Sequence, residues 1–211
     1  LDGCLSAIER LSLTHDVYHS VGLMKSRPEK GRGVESDVIS LPGLWMDIDC
    51  KEGRHNTKDL PSKDEALSFL KEFPLQPSLI IWSGGGLHVY WLFKEPAYFQ
   101  SEAERQAIKG LSARFQKTMI QRASWRSWKL DNTSDLVRLL RIPGTFNFKR
   151  EPVPVQVIEQ TGQRYEPRDF EEYMIEENPV QGPPPEVTAG KPFDSDLASL
   201  PVNLGIKKLI R

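Results

Sequence analysis

The stretch Leu44-Trp-Met-Asp-Ile-Asp-Cys50 alternates aliphatic residues with a tryptophan and two aspartates. Residues two apart share a face of a β-strand. Asp47 and Asp49 therefore lie on one face with Trp45, while the residues between them face a core. Two adjacent carboxylates repel each other, and Mg²⁺ or a similar hard cation relieves the repulsion by binding their oxygens. The stretch predicts a strand with a metal-binding face, or, as the alternative, a half-exposed strand that carries two acids without a ligand.

The sequence on either side of this strand predicts an α+β fold. Ser62 with Glu65, and Ser101 with Glu104, are spaced as capping boxes that begin two helices. Pro154 favours an edge strand for the segment around it, because proline cannot donate to a central sheet ladder. The predicted helices are 62–73 and 101–121, with short ones at 134–140 and 166–174, and the predicted strands are 44–50, 78–82, 87–93, 145–149 and 153–158.

The sequence Ser83-Gly-Gly-Gly-Leu-His88 joins two of these strands. Three glycines allow positive φ and let backbone N–H groups approach an anion. The Ser83 hydroxyl lies at one end of the turn, and His88 shares a strand face with Tyr90. We expect this turn and His88 to bind the oxygens of a triphosphate. A tight turn with no ligand is the alternative, and the Lys-Ser/Thr of a Walker A loop is missing.

Residues 105–150 contain eleven Lys or Arg residues and two acids, a net charge of +9 in a chain of net charge −1. A basic segment in a nearly neutral protein favours a polyanionic partner, and a solvated helix face is the alternative. Asp131 follows an apolar residue where a loop should leave a strand, which makes it the candidate third metal ligand. Asp135 is interpreted as a helix cap or an arginine partner.

Composition limits the other function classes. The longest apolar run is too short to span a membrane, so no membrane partner is expected. The start of the chain shows no secretion leader, and we expect a cytoplasmic protein with reduced thiols. Cys4 and Cys50 are too few for a zinc site. We expect a catalytic domain at 1–177, a Pro/Gly-rich linker at 178–196 and the start of a truncated C-terminal element at 197–211.

The order of these motifs resembles the archaeo-eukaryotic primase superfamily, in particular its primase-polymerases from plasmids, phages and CRISPR-linked loci. The resemblance covers residues 40–150 best. It implies an RRM-like antiparallel sheet with flanking helices and a smaller α/β lobe. It also implies that catalysis and metal binding fall to Asp47, Asp49 and Asp131, and that the nucleotide is bound by Ser83, Gly84, Gly85, Gly86, His88, Arg138, Arg141, Asn147 and Lys149. A template or initiating nucleotide would meet the basic loop that includes Lys25 and Arg32, and the helix that carries Arg114, Lys117 and Arg122.

The implied activity is that of a metal-dependent nucleotidyltransferase: a DNA primase-polymerase that makes and extends primers on a single-stranded DNA template from (d)NTPs. Two Mg²⁺ or Mn²⁺ ions and a primer strand belong to this expectation, and zinc does not. A helicase or accessory domain in the full-length protein is a candidate partner. Two alternatives remain: a metal-dependent nuclease and a non-catalytic nucleic-acid-binding replication module. A rolling-circle endonuclease is disfavoured, because His15 and His19 lack the His-apolar-His spacing, although their helical spacing could bind a metal.

Overall fold

The computed structural model describes residues 2–28, 30–53 and 57–175. The predicted linker at 178–196 and the element at 197–211 lie outside the described residues. The helices are α1 (Asp2–Leu11), α2 (Lys63–Lys71) and α3 (Glu102–Ser124). The strands are β1 (Tyr18–Ser20), β2 (Leu23–Met24), β3 (Val38–Asp49), β4 (Leu79–Trp82), β5 (Gly86–Tyr98), β6 (Leu139–Arg141), β7 (Phe146–Asn147), β8 (Val153–Pro154) and β9 (Gln156–Gln160). Short 3₁₀ helices occupy Glu35–Asp37, Lys51–Gly53 and Pro167–Tyr173.

A five-stranded antiparallel sheet forms the centre, in the order β2-β3-β5-β4-β9. Strand β3 is paired with β5 over most of its length, and the register places Trp45 opposite Tyr90, Asp47 opposite His88 and Asp49 opposite Gly86. The hairpin predicted around the glycines is confirmed as β4 and β5. The single strand predicted at 153–158 is divided into β8, which contains Pro154 and pairs with β7, and β9, which pairs with β4 at one edge of the central sheet as expected.

The hydrophobic core lies between one face of this sheet and the helices. Leu44, Met46 and Ile48 are fully buried on that face, as the alternation in β3 predicts. Trp91 of β5 meets Phe115 of α3 edge-on, with ring centroids 4.9 Å apart. Edge-to-face aromatic pairs add roughly 0.5–1.5 kcal/mol beyond the area they bury. Helix α3 therefore covers the face opposite to Asp47 and Asp49.

A smaller layer lies on the acid-bearing side of the sheet. It contains the two-stranded sheets β1-β6 and β7-β8. His19 of β1 contacts Tyr90 of the central sheet through a 3.2 Å hydrogen bond between Nε2 and Oη. This contact joins the small layer to the large sheet beside Asp47. The mixture of helices with an antiparallel sheet agrees with the α+β class predicted from sequence.

Two helix starts follow the expected capping chemistry to different degrees. Ser62 accepts from the Glu65 amide and the Glu65 carboxylate accepts from the Ser62 amide, so this capping box is confirmed. Ser101 accepts from the Glu104 amide, but the Glu104 carboxylate accepts from the Gln100 amide instead. The second box is therefore half formed. Helix α1 is an additional helix that the sequence analysis does not predict.

The helix predicted at 134–140 is wrong. Leu139–Arg141 forms strand β6, which pairs with Tyr18–Ser20. The local helical propensity of this segment is overridden, because a strand that is distant in sequence forms backbone hydrogen bonds with it. The metal site considered for His15 and His19 is not formed either, since His15 is exposed and His19 lies in β1. In the described part of the chain, no helix is both long and apolar enough to cross a membrane.

Candidate active site

The two aspartates of β3 share the sheet face that the small layer borders. Asp47 has a side chain that is 29% exposed, whereas Ile48 between the two acids is fully buried. The alternation predicted from the sequence is therefore observed. Two carboxylates two residues apart on a partly open face match the oxygen ligands that Mg²⁺ and Mn²⁺ prefer. The donor set of this strand thus fits a divalent cation.

Gly86 lies directly across from Asp49 and permits the close approach of the two strands. A Cβ atom added at Gly86 would lie 2.4 Å from the Ile48 carbonyl oxygen and 3.1 Å from the Asp49 Cα. Real side chains do not accept such contacts, so only glycine fits with this strand spacing. Because Gly86 has no side chain, no side chain of β5 lies directly across from Asp49.

The Ser83 side chain forms a hydrogen bond within the turn. Its hydroxyl donates to the Gly86 carbonyl over 3.0 Å, and the residue is 5% exposed. Gly84 has φ of +89°, as expected for a turn glycine. The turn itself is as predicted, but the Ser83 hydroxyl hydrogen is already donated and is not offered to a phosphate in this arrangement.

His88 is a buried neutral histidine next to Asp47. Burial is the main cause that lowers the pKa of His88 to about 3; electrostatic interactions with His19 and Arg141 act in the same direction, and the Arg141 backbone opposes them. Its Nε2 lies 3.7 Å from Asp47 Oδ1, and because the ring is neutral this approach is not an ion pair. His88 Nδ1 has no hydrogen-bond partner. An unpartnered buried nitrogen costs roughly 1–3 kcal/mol and requires a physical explanation, such as a ligand group.

Two further polar residues lie on this face, His19 from the small layer and Tyr90 from the central sheet. Burial lowers the pKa of His19, so its ring is neutral. His19 Nδ1 donates to the Ser20 carbonyl, and Nε2 therefore accepts the hydrogen bond from the Tyr90 hydroxyl. Burial and the negative charge of Asp47 raise the pKa of Tyr90. The Tyr90 hydroxyl is consequently a permanent donor, directed to His19.

The predicted basic residues of the nucleotide site are already partnered to different degrees. Arg141 donates from Nε to Asp16 over 2.9 Å, and Asp16 also accepts from the Phe148 amide. Arg138 pairs with Asp135 at 2.9 Å, which confirms Asp135 as an arginine partner. Lys149 is exposed. Arg141 is thus held in place close enough to His88 to affect its pKa.

Asn147 holds the glycine turn. Its Nδ2 donates to the Ser83 carbonyl over 2.8 Å, and its Oδ1 accepts from the Lys149 amide. A Cβ atom at Gly84 would lie 3.1 Å from the Asn147 Cβ, so the turn and β7 are in close contact. In this structure the side chain predicted to contact a nucleotide fixes the turn that precedes His88.

Asp131 is exposed, and its segment reaches the acid-bearing side of β3 through Thr133. The Trp45 indole nitrogen donates to the Thr133 carbonyl over 3.0 Å. Within residues 2–28, 30–53 and 57–175, however, no group of three or more His, Cys, Asp or Glu side chains is arranged to hold a metal ion. The structure brings Asp47 and Asp49 together, but it does not close a three-acid site with Asp131.

The template candidates divide between the two sides of the sheet. Arg32 pairs with Asp135 at 3.1 Å, next to the segment that contains Asp131. Arg114 instead makes a bidentate pair with Glu171, and Arg122 donates to the Glu72 carbonyl. Arg114, Lys117 and Arg122 all belong to α3, which covers the opposite face. A template strand lying along the acids would not meet these three side chains. Lys25 precedes the loop that ends at Arg32, and its amide donates to the Asp37 carbonyl.

Sequence reasoning missed Gln116, a fully buried residue of α3. Its Nε2 donates to the Trp45 carbonyl, and its Oε1 accepts from the Thr133 amide. The available signal was a polar residue within the apolar stripe of the helix. Ser112, one turn earlier, is buried in the same way.

Comparisons with known proteins agree with this architecture at the level of fold. The chain matches no protein-family model and no curated protein. It is similar to a solved structure, the AEP domain of the primase-polymerase (PrimPol) of cyanophage S-2L, with a TM-score of 0.57 and 18% sequence identity. The match covers 81% of this chain and 76% of that chain. The described part of the chain therefore has the archaeo-eukaryotic primase fold.

Proposed function

We propose that this protein is a metal-dependent nucleotidyltransferase, a DNA primase-polymerase that builds and extends primers on single-stranded DNA from (d)NTPs. One observation carries the proposal: on a primase-type fold, the half-exposed Asp47 lies beside a buried neutral histidine with an unpartnered nitrogen. The acid pair supplies metal ligands, and His88 supplies a hydrogen-bonding group for the nucleotide that the metal would bring with it.

Asp47 and Asp49 would hold two Mg²⁺ or Mn²⁺ ions, with Asp131 joining them from its exposed segment. Such ions activate the attacking 3′-hydroxyl and stabilise charge on the leaving pyrophosphate. The other residues position and bind. The neutral His88 donates to a phosphate oxygen without cancelling the charge on Asp47. Gly84, Gly85 and Gly86 permit close approach of the triphosphate, and Ser83 with Asn147 keeps their turn rigid.

The cationic residues would bind a negatively charged nucleotide or nucleic acid. Arg141 is held by Asp16 near His88, and Lys149 is exposed at the end of the small layer. Arginine and lysine at such positions bind phosphate oxygens by charge-assisted hydrogen bonds. Arg138 and Arg32 share Asp135, and their position beside the Asp131 segment supports a role in binding the template or the initiating nucleotide.

The test is a synthesis assay on single-stranded DNA with Mg²⁺ or Mn²⁺, with and without a primer. The wild-type chain should lengthen a labelled primer and, as a primase, should also start chains without one. Asp47→Asn and Asp49→Asn should each remove the activity, and melting curves should show that both variants are folded. Glu159→Gln, an exposed carboxylate on the edge strand β9 of the same sheet, is the matched control and should stay active.

The alternative outcomes are distinct. Shortening of the labelled DNA in the presence of the metal alone would indicate a nuclease, which uses the same carboxylate chemistry. DNA binding that requires none of the acids, with no change in strand length, would indicate a non-catalytic module. Extension that persists in Asp47→Asn with Asp49→Asn would place the active site elsewhere.

A further inference from the structure

The part of β3 that carries the acids has an open edge. Strand β2 pairs with β3 only near its beginning, at Val38 and Ser40. From Gly43 to Asp49, β3 has β5 on one side and no strand on the other in the described sheet. Backbone groups at a buried edge need other partners. Gln116 of α3 supplies one such partner, because it donates to the Trp45 carbonyl.

Gln116, Trp45 and Thr133 form a closed set of hydrogen bonds at this edge, which we name the Gln116 clasp. Gln116 Nε2 donates to the Trp45 carbonyl over 3.0 Å. Gln116 Oε1 accepts from the Thr133 amide at 2.7 Å and from its hydroxyl at 3.2 Å. The Trp45 indole then donates to the Thr133 carbonyl at 3.0 Å. Thr133 is thereby bound through its N–H, its C=O and its hydroxyl.

The clasp connects two parts of the candidate metal site. Trp45 lies two residues before Asp47 on the same strand face, and Thr133 lies two residues after Asp131. We propose that Gln116 is a positioning residue that holds the Asp131 segment against β3, so that Asp131 can join Asp47 and Asp49 when a divalent cation binds. The inference rests on the metal site of the proposed function, and it adds the residue that assembles that site.

An amide is required for this role. Gln116 must donate to one carbonyl and accept from an N–H at the same time, and it is fully buried. A carboxylate would place an acceptor against the Trp45 carbonyl, and an aliphatic side chain would leave the Thr133 amide unsatisfied. Residues behind metal ligands, when changed, typically weaken metal affinity by about 10–100-fold. A residue that merely fills space in the core would lower stability alone.

The experiment measures Mn²⁺ binding to the folded protein by titration calorimetry, without DNA or nucleotide. Gln116→Met keeps the side-chain length and removes its three hydrogen bonds, and it should weaken Mn²⁺ binding by about tenfold or more. Gln121→Met, an exposed glutamine of the same helix, should bind Mn²⁺ like the wild type. Leu111→Ala, a core change in α3, controls for lost stability: it should lower the melting temperature and leave Mn²⁺ affinity unchanged.

A double-mutant comparison separates positioning from general damage. If Gln116 acts through Asp131, Gln116→Met should weaken Mn²⁺ binding no further once Asp131→Asn is present. Trp45→Phe removes the indole donor to Thr133. It should weaken Mn²⁺ binding less than Gln116→Met does, and it too should have no further effect once Asp131→Asn is present. This variant replaces Gln116→Met in the test if Gln116→Met does not fold. Unchanged Mn²⁺ affinity in both clasp variants, or fully additive losses with Asp131→Asn, would overturn the inference.

The two proposals fail in different ways. A wild-type chain that binds Mn²⁺ through the acids and depends on Gln116, but adds no nucleotides, would refute the polymerase and leave the clasp standing. A wild-type chain that synthesises DNA with a metal dependence unaffected by Gln116→Met would refute the clasp and leave the polymerase standing.

Discussion

Gly86→Ala should remove activity while the protein stays folded, because the glycine lies opposite Asp49. The added Cβ would lie 2.4 Å from the Ile48 carbonyl oxygen, whereas ordinary contact begins at 3.4 Å. The backbone of β3 must therefore move by about 1 Å at the position that carries the acid. Overpacking of this kind costs roughly 1–3 kcal/mol of stability. A misplacement of about 1 Å in a catalytic group can lower the rate by about 100-fold.

The assay compares Gly86→Ala with Gly110→Ala, which has open space around its added Cβ. Gly110 lies within α3, so alanine there should raise the unfolding free energy by roughly 0.5–1 kcal/mol and leave primer extension unchanged. Gly86→Ala should keep most of its secondary structure by circular dichroism and lose extension by about 100-fold. Full activity in a folded Gly86→Ala protein would show that the spacing of β3 and β5 at Asp49 does not control catalysis.

Two further predictions concern stability. Burial lowers the pKa of His19 and His88 below the usual 6.5, so the unfolded chain binds protons that the folded chain does not bind as the pH falls below 6.5. The unfolding free energy should therefore be at its full value above pH 6.5 and should decrease below it, by up to about 1.4 kcal/mol per pH unit for each histidine. Equal urea midpoints at pH 7 and pH 5 would contradict this. Ser62→Ala removes the side-chain acceptor of the α2 capping box and should lower the unfolding free energy by about 1 kcal/mol, a loss that Ser62→Asp should largely restore in the same denaturant titration.

The elements that local chemistry determines could be predicted from the sequence. The alternation in residues 44–50, the glycines at 84–86 and the capping serine at 62 each express a rule that operates over a few residues. The structure confirms the strand, the hairpin and the helix that follow from them. Asp47 and Asp49 share a face for the same reason, because the period of a strand leaves no other arrangement.

The elements that depend on distant partners could not be predicted. Leu139–Arg141 becomes a strand because residues 18–20 pair with it. Asn147 has the pattern of an exposed strand face, but its amide meets the Ser83 carbonyl, 64 positions away. Arg114 is basic, as a template contact would be, but Glu171 binds it on the helix-covered side. In each case the sequence shows the chemistry of a side chain and not which backbone or charge it will meet.

The position of the acids follows from contacts on both edges of β3. On one edge, Gly86 lets β5 approach until the backbones touch at Ile48 and Asp49. On the other, Gln116 binds the Trp45 carbonyl in place of a neighbouring strand. Asp47 lies between these two points, so neither edge of the strand can move without moving it. The proposed catalysis would depend on this rigidity, because groups that bind metal and triphosphate act best when they are in place before the substrate arrives. A glycine and a glutamine, neither of which carries charge, therefore control the geometry of the charged residues.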